Sequence, residues 1–346
     1  MFPTNATSEP RAPTKTDWEE ASGRFDETLS EHGVIAGRVD LHFHLLPAID
    51  DGPASVREAL ALARAARADG AAAVVCTPHL RRDHVHDPRQ ILRAVVAFRS
   101  ELRRAQVDLT ILAGAEVAAD LALRLDPRLL ELVALGGRAD AGRVANSRFL
   151  LVETPFDGLD AAFASACEAL LRRGYRPILA HPELAEPLPA GERRLIELVR
   201  RGALVQVNAL SLIGRHGAIA ERRALDLVER RLAHLVASDA HGPTRPPALS
   251  AASAALLAHG FAPRHVRRLV NETPWRLAGA DAPNVRPCPP GLPSPPSRAG
   301  RPFSGSPPVA RAARTARPPD VRVERLRTAR VLAELRIASR LRRGAA

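Results

Sequence analysis

Aromatic residues are scarce in this 346-residue chain, making up only 3% of it, and Lys15 is the only lysine among 50 basic residues. A core built from this material must rely on Leu, Val and Ala. The preference for Arg over Lys reads as a compositional habit of the source rather than a functional choice. Cysteine is also rare. Cys76, Cys167 and Cys288 are too few and too scattered for a disulfide framework or a Cys-type zinc site. The stretch from Met1 to Arg38 is polar and acidic and lacks the apolar segment of a secretion signal. No apolar run approaches the length of a membrane span. These absences predict no transmembrane segment and a reducing, cytoplasmic address.

What is present is enough apolar matter, 46% of residues, to bury a sizeable core in one large domain or two smaller ones. The net charge of +12 raises the question of nucleic acid, but the charge is localised. Residues 281–346 hold 14 Arg against Asp281, Asp320, Glu324 and Glu334, which leaves only about +2 for the rest. The basic character therefore belongs to a tail, and no specific nucleic-acid recognition is expected of the main domain.

Three regions emerge: a polar N-terminal extension at 1–37, a domain at 38–280, and a Pro/Arg-rich basic tail at 281–346. Residues 282–319 read as a disordered linker, and Val321 to Arg343 regains helical spacing. Within the domain, strand-like segments fall at Arg38–Leu41, Ala72–Thr77, Leu109–Gly114, Phe149–Val152, Pro177–Ala180, Leu204–Val207 and Leu235–Ala237. Amphipathic helical stretches lie between or after most of them: Ser55–Asp69, Pro88–Arg104, Asp160–Arg173, Gly191–Arg201, Ala218–Arg231 and Ala248–Ala258. Such alternation argues for parallel βαβ units. Either a barrel-like α/β fold or an open doubly wound sheet fits the pattern.

Ligand-type residues cluster at the ends of these strands. His42 and His44 end the first and, at period two, project to the same side. His79 follows the second strand, Glu116 the third, and Glu153 ends the fourth. His181 ends the fifth, and Asp239 and His241 follow the last, while Asp50 and Asp51 occupy the loop after the first. In a parallel α/β barrel all these ends share one rim, where active sites are built. Singly, each has an ordinary explanation, as a surface histidine, a cap or a turn. Their joint placement has none. Imidazole plus carboxylate without thiolate suits Mn, Fe, Zn or Co.

The run Asp40-Leu41-His42-Phe43-His44-Leu45-Leu46-Pro47-Ala48-Ile49-Asp50-Asp51-Gly52-Pro53 resembles the opening motif of the PHP (polymerase and histidinol phosphatase) superfamily. Its extension through Asp-Asp-Gly-Pro is similar to the branch of bacterial manganese-dependent protein tyrosine phosphatases of capsule and exopolysaccharide clusters. The likeness continues through Thr77-Pro78-His79, Gly114-Ala115-Glu116, Val152-Glu153, Ala180-His181-Pro182-Glu183, Val205-Gln206-Val207-Asn208 and Ala237-Ser238-Asp239-Ala240-His241. It spans roughly residues 38–279.

The resemblance implies a distorted (β/α)7, TIM-like barrel of the PHP fold, with the two terminal extensions outside it, holding three metal ions, Mn2+ first among the candidates. By motif, His42, His44, Glu116 and Asp239 would surround one ion. Glu116, Glu153 and His181 would hold a second, and Asp51, His79 and His241 the third. His241, Asp239 and Glu116 would be the catalytic residues, and Arg81, Arg82 and Arg245 the candidates to bind phosphate. The reaction implied is hydrolysis of a phosphomonoester by a metal-bridging hydroxide, with His241 or a metal-bound water protonating the leaving oxygen. The implied substrate is a phosphotyrosine protein, a bacterial tyrosine autokinase of polysaccharide synthesis. An oligomer is left open.

One departure stands out. An Arg usual in the family after the His-Pro-Glu segment is replaced by Leu184, which removes a bidentate phosphate grip. This keeps a rival open: a PHP phosphoesterase acting on a small-molecule or nucleotide phosphate. Cys76 and Arg82 also satisfy the Cys-x5-Arg spacing of thiol phosphatases, though no Gly-rich phosphate loop surrounds them. A non-enzymatic alternative is an anion- or nucleic-acid-binding protein driven by the tail.

Overall fold

The computed structural model describes residues 37–85, 87–135, 148–187 and 190–278. The expected N-terminal extension (save Gly37), His86, the basic tail and its C-terminal helix lie outside the described residues. Among the described residues nine strands are present, all paired in parallel: β1 (Arg38–Phe43), β2 (Ala71–Cys76), β3 (His79–Leu80), β4 (Thr110–Ala113), β5 (Glu116–Ala118), β6 (Phe149–Glu153), β7 (Arg176–Ala180), β8 (Leu204–Asn208) and β9 (Leu235–Ala237). They form a three-stranded sheet of order β1-β2-β4 and a six-stranded sheet of order β3-β5-β6-β7-β8-β9.

The seven strands expected from sequence are all found, but two of them continue into separate short strands. Pro78 separates β2 from β3 and has no N–H for the ladder. Gly114 separates β4 from β5. A Cβ there would sit 2.6 Å from Val75 Cγ1, so the close approach of the two strands admits only glycine. Hydrogen bonds run across the breaks: Thr77 N donates to Phe43 O at 2.9 Å, Gly114 N to Cys76 O at 2.9 Å and Glu116 N to Pro78 O at 3.2 Å. At the other margin, Asp239 N donates to His42 O at 2.9 Å and His44 N to Ala240 O at 3.0 Å.

Six longer helices cover the sheets: α1 (Val56–Ala68), α2 (Pro88–Arg104), α3 (Ala161–Arg172), α4 (Gly191–Arg200), α5 (Ala218–Glu229) and α6 (Leu249–Ala258). Their starts follow local chemistry. Ser55 caps α1 by accepting from Glu58 N, and Glu58 reaches back to Ala54 N at 2.9 Å. Asp87 caps α2, ahead of Pro88, and Asp160 caps α3.

Strand alternation sets the layers. Val205 and Val207 of β8 and Leu150 and Val152 of β6 join the large apolar layer that includes Leu195 and Leu198 of α4 and Phe163 and Leu170 of α3. Residues of the opposite parity make a second cluster: Val39, Leu41, Val75, Leu151, Ile178, Leu204 and Leu235, joined by Trp275 and Leu277. Towards the C-terminal ends of the strands this same face turns polar. Leu151 is followed at period two by Glu153, and Leu204 by Gln206 and Asn208. The fold thus builds an apolar floor and sets a polar centre above it.

Candidate metal centre

His42 and His44 are fully buried, and their Nε2 atoms are 3.1 Å apart. Glu116 Oε2 lies 3.3 Å from His42 Nε2 and 3.5 Å from His44 Nε2. Asp239 Oδ1 lies 3.2 Å and 3.4 Å from the same two atoms. Donors bound about 2.1 Å from one ion stand about 3.0–3.4 Å apart, so this spacing is that of a coordination shell.

The rings are held in one tautomer by what lies behind them. His42 Nδ1 bonds Gln206 Oε1 at 3.0 Å, His44 Nδ1 bonds Asp50 Oδ2 at 2.7 Å, and His241 Nδ1 bonds Asp239 O at 2.9 Å. Each of these partners is an acceptor, so each neutral ring carries its proton on Nδ1. The Nε2 lone pair is left facing inward, the arrangement of metal-ligating histidines. Asp50 does more than turn the chain. Its Oδ1 accepts from Gly52 N at 3.0 Å and its Oδ2 from His79 N at 3.2 Å. Gly52 is required there, because a Cβ would sit 2.6 Å from His44 O.

The remaining donors extend the cluster on two sides. His241 Nε2 and His79 Nε2 lie 3.1 Å and 3.4 Å from Asp51 Oδ1. His181 Nε2 lies 3.0 Å from Glu116 Oε1, and His79 Nδ1 3.0 Å from Glu116 Oε2. Four overlapping groups can each hold an ion: His44, Asp51, His79 and His241; His42, His44 and Asp239; His42, Glu116 and His181; His79, Glu116 and Glu153. All nine residues expected as ligands are brought together. Glu153 groups with His79 rather than with His181, because Arg81 Nη1 holds its Oε1 at 2.8 Å. Two of the nine are left-handed despite being non-glycine, His181 at φ 38° and Asp239 at φ 53°. Such strain persists where surrounding structure fixes a functional group.

The electrostatics show how much cation the centre asks for. Burial raises the pKa of Glu116, but His42, His181 and His44 outweigh it and hold the carboxyl well below its usual range. Asp239 and Asp51 are lowered in the same way, burial notwithstanding, by His42 and His44 and by His241 respectively. Burial disfavours charge on His44 and His181. Hydrogen bonds to Asp239 and Asp50 raise His44 well above normal, and Glu116 lifts His181 to about 9. Buried anions are compensated by protons on histidines, yet the close contacts of Glu116 Oε2, Asp239 Oδ1, His79 Nδ1 and His241 Nε2 lack the geometry of proper hydrogen bonds. Divalent cations would satisfy all four, so this donor set fits them.

The three candidate phosphate-binding arginines are placed differently. Arg245 reaches Asp239 Oδ2 and lies 3.8 Å from Asp51 Oδ2, over the centre. Arg81 stands at its edge on Glu153 and Asp83. Arg82 is 64% exposed and pairs with Asp120 at 3.5 Å, away from the nine donors. Leu184 lies half-buried in the Pro182–Leu184 turn. Cys76 is fully buried inside β2 beside the apolar layer, which removes the thiol reading.

Several residues that the sequence presents only within motifs or loops turn out to hold the site. Besides Asp50 and Gln206, Asn208 Nδ2 donates to Asp239 Oδ2 at 3.0 Å. Buried Glu183 accepts from Asn208 N and Ser211 Oγ, both at 2.8 Å. Asp40 accepts from Ser238 N at 3.1 Å, and burial pushes its pKa up to about 6. The alternation Leu204-Gln206-Asn208 was the available signal, polar residues continuing an inward apolar face. His84 also stacks on His79, with centroids 5.3 Å apart.

A parallel α/β fold carrying a largely buried centre of five imidazoles and four carboxylates defines a class of protein that gathers several divalent ions at its strand ends. The family model for capsular polysaccharide synthesis, CpsB/CapC, matches residues 38–277, and the chain belongs to that family. It is 30% identical over 210 residues to a putative tyrosine-protein phosphatase, CapC, of Staphylococcus aureus, covering 60% of this chain and 79% of the relative. It is 27% identical over 248 residues to the tyrosine-protein phosphatase CpsB of Streptococcus pneumoniae, covering 69% and 97%. A solved structure from work on YwqE of Bacillus subtilis and CpsB of Streptococcus pneumoniae, described as metal-dependent tyrosine phosphatases, matches with a TM-score of 0.56. That match is 28% identical and covers 69% of this chain and 90% of the other.

Proposed function

We propose that this chain is a metal-dependent phosphatase that removes phosphate from tyrosine side chains of proteins. The observation that carries the reading is the set of three histidines whose Nδ1 atoms are engaged by Gln206, Asp50 and the Asp239 carbonyl, leaving Nε2 free beside Asp51, Glu116 and Asp239. The names of the relatives supply the substrate. We take Mn2+ as the resident metal and three ions as the complement, held by His42, His44, Asp51, His79, Glu116, Glu153, His181, Asp239 and His241. Bound there, divalent ions supply positive charge to phosphoryl oxygens and acidify water near neutral pH.

The chain's own residues supply orientation. Arg245, with two carboxylate partners and a half-exposed guanidinium, is placed to trade one of them for a phosphoryl oxygen. Arg81 can do the same from the Glu153 side. Burial and the nearby His44 lower the pKa of His241, so it enters as neutral imidazole, suited to ligation rather than to proton donation.

Hydrogen bonds across both sheet margins favour one distorted barrel of seven strand positions, β2–β3 and β4–β5 each counting once. The catalytic unit is residues 38–280, with the segments at 1–37 and 281–346 outside it. The partner is a tyrosine autokinase of polysaccharide synthesis, and the address is cytoplasmic. No described helix is long and apolar enough to cross a membrane.

A panel of phosphate esters tests the function. Purified protein with added Mn2+ should turn over phosphotyrosine peptides and lose that turnover in Glu116→Ala. Strong hydrolysis of histidinol phosphate with none of phosphotyrosine would overturn the substrate.

A further inference from the structure

Large apolar side chains are exposed at only five described positions, and Phe156 is the one aromatic among them, at 57%. The chain spends few aromatics, and those elsewhere in the described residues are buried or partly buried. Phe156 lies three residues beyond Glu153, at the rim of the metal centre. Its backbone is fixed: Phe156 O accepts from Glu186 N at 2.8 Å, and Gly158 N donates to Pro155 O at 3.1 Å to close the turn. Its ring lies within 4° of parallel to that of His181, with centroids 5.6 Å apart. His181 in turn contacts Glu116 at 3.0 Å. An apolar ring is thus held one ring-width outside the donor cluster and open to solvent.

We propose that Phe156 selects substrate, its exposed ring receiving the aromatic ring of an aryl phosphate monoester whose phosphoryl end lies at the donor cluster beside Arg245. This rests on the phosphatase reading above. The ring offers no hydrogen bond, so it distinguishes esters by aromatic face and apolar area alone. Leu184, half-buried in the adjoining Pro182–Leu184 turn, brings no charge to this side of the site. A site with less cationic grip on phosphate gains more, in proportion, from contact with the rest of the ester.

The test is binding of two phosphonates, which cannot be hydrolysed, to metal-loaded full-length protein by calorimetry. Phenylphosphonate should bind roughly 3- to 10-fold more tightly than methylphosphonate, the range expected for one aromatic pair. In Phe156→Ala that ratio should fall towards one through weaker phenylphosphonate binding, with methylphosphonate unchanged. Phe156→Trp should keep the preference. A ratio unchanged in Phe156→Ala overturns the proposal. Equal weakening of both ligands also overturns it, since the ring would then only prop His181. If the wild-type protein binds neither phosphonate and turns over no phosphotyrosine, the phosphatase reading itself fails.

Discussion

Gln206 is an uncharged side chain, fully buried, whose oxygen accepts from His42 and so aims that ring's other nitrogen at Glu116 and Asp239. An amide in such a place contributes through orientation, because His42 turned by its other tautomer cannot ligate. Gln206→Leu, close in volume, should weaken metal affinity about 10- to 100-fold while leaving the fold intact. A chelator competition titration reads the affinity, and thermal melting checks the fold. Unaltered affinity would mean that His42 needs no such support. Asn208, two residues on, steadies Asp239 in the same way and shares buried Glu183 with Ser211.

At the scale of the element, β6, β8 and the β9 end repeat one device, apolar residues below and a donor or its support at the C-terminal end, while His79 and Glu116 open the short strands β3 and β5 that continue β2 and β4. That device is why so much was legible in the sequence. Glu153, His181 and Asp239 each follow a recognisable apolar run, so strand ends could be located and the nine donors listed. The breaks after β2 and β4 were not legible as breaks, since Pro78 and Gly114 read as ordinary strand-end residues until the chains beside them are seen. The roles of Gln206 and Asp50 escaped for a different reason. Their importance lies in which nitrogen of a distant histidine they touch, and no spacing within one strand records that.

The β8–β9 edge also carries an acid sensitivity. Burial, with Arg268 and Arg176 nearby, lowers His234 to about 4, and burial with Arg231 and Arg268 does the same to His265. Both are neutral when folded, whereas unfolded histidine binds a proton below about 6.5. Their contribution to stability is therefore complete above about 6.5 and is lost as pH falls towards 4. His265→Leu should flatten the fall in melting temperature across that window relative to wild type. An equally steep fall in the variant would assign the acid loss to other groups.

At the scale of the whole chain, the metal-ligand residues and the strongly basic stretch lie in different parts of the sequence. The matched family region ends at 277, and the strongly basic stretch begins just after it. Deleting residues 281–346 should leave phosphatase turnover unchanged and reduce retention on an anionic resin, especially at low salt. Loss of turnover would place catalytic structure in the tail and shift the boundary. The most direct measurement of the central claim joins metal content to turnover: elemental analysis of the purified chain, with phosphotyrosine hydrolysis followed through chelation and Mn2+ readdition. About three ions per chain should be found, with activity lost on chelation, restored by Mn2+, and absent in His42→Ala. Turnover that survives complete metal removal, or persists in His42→Ala, would contradict it.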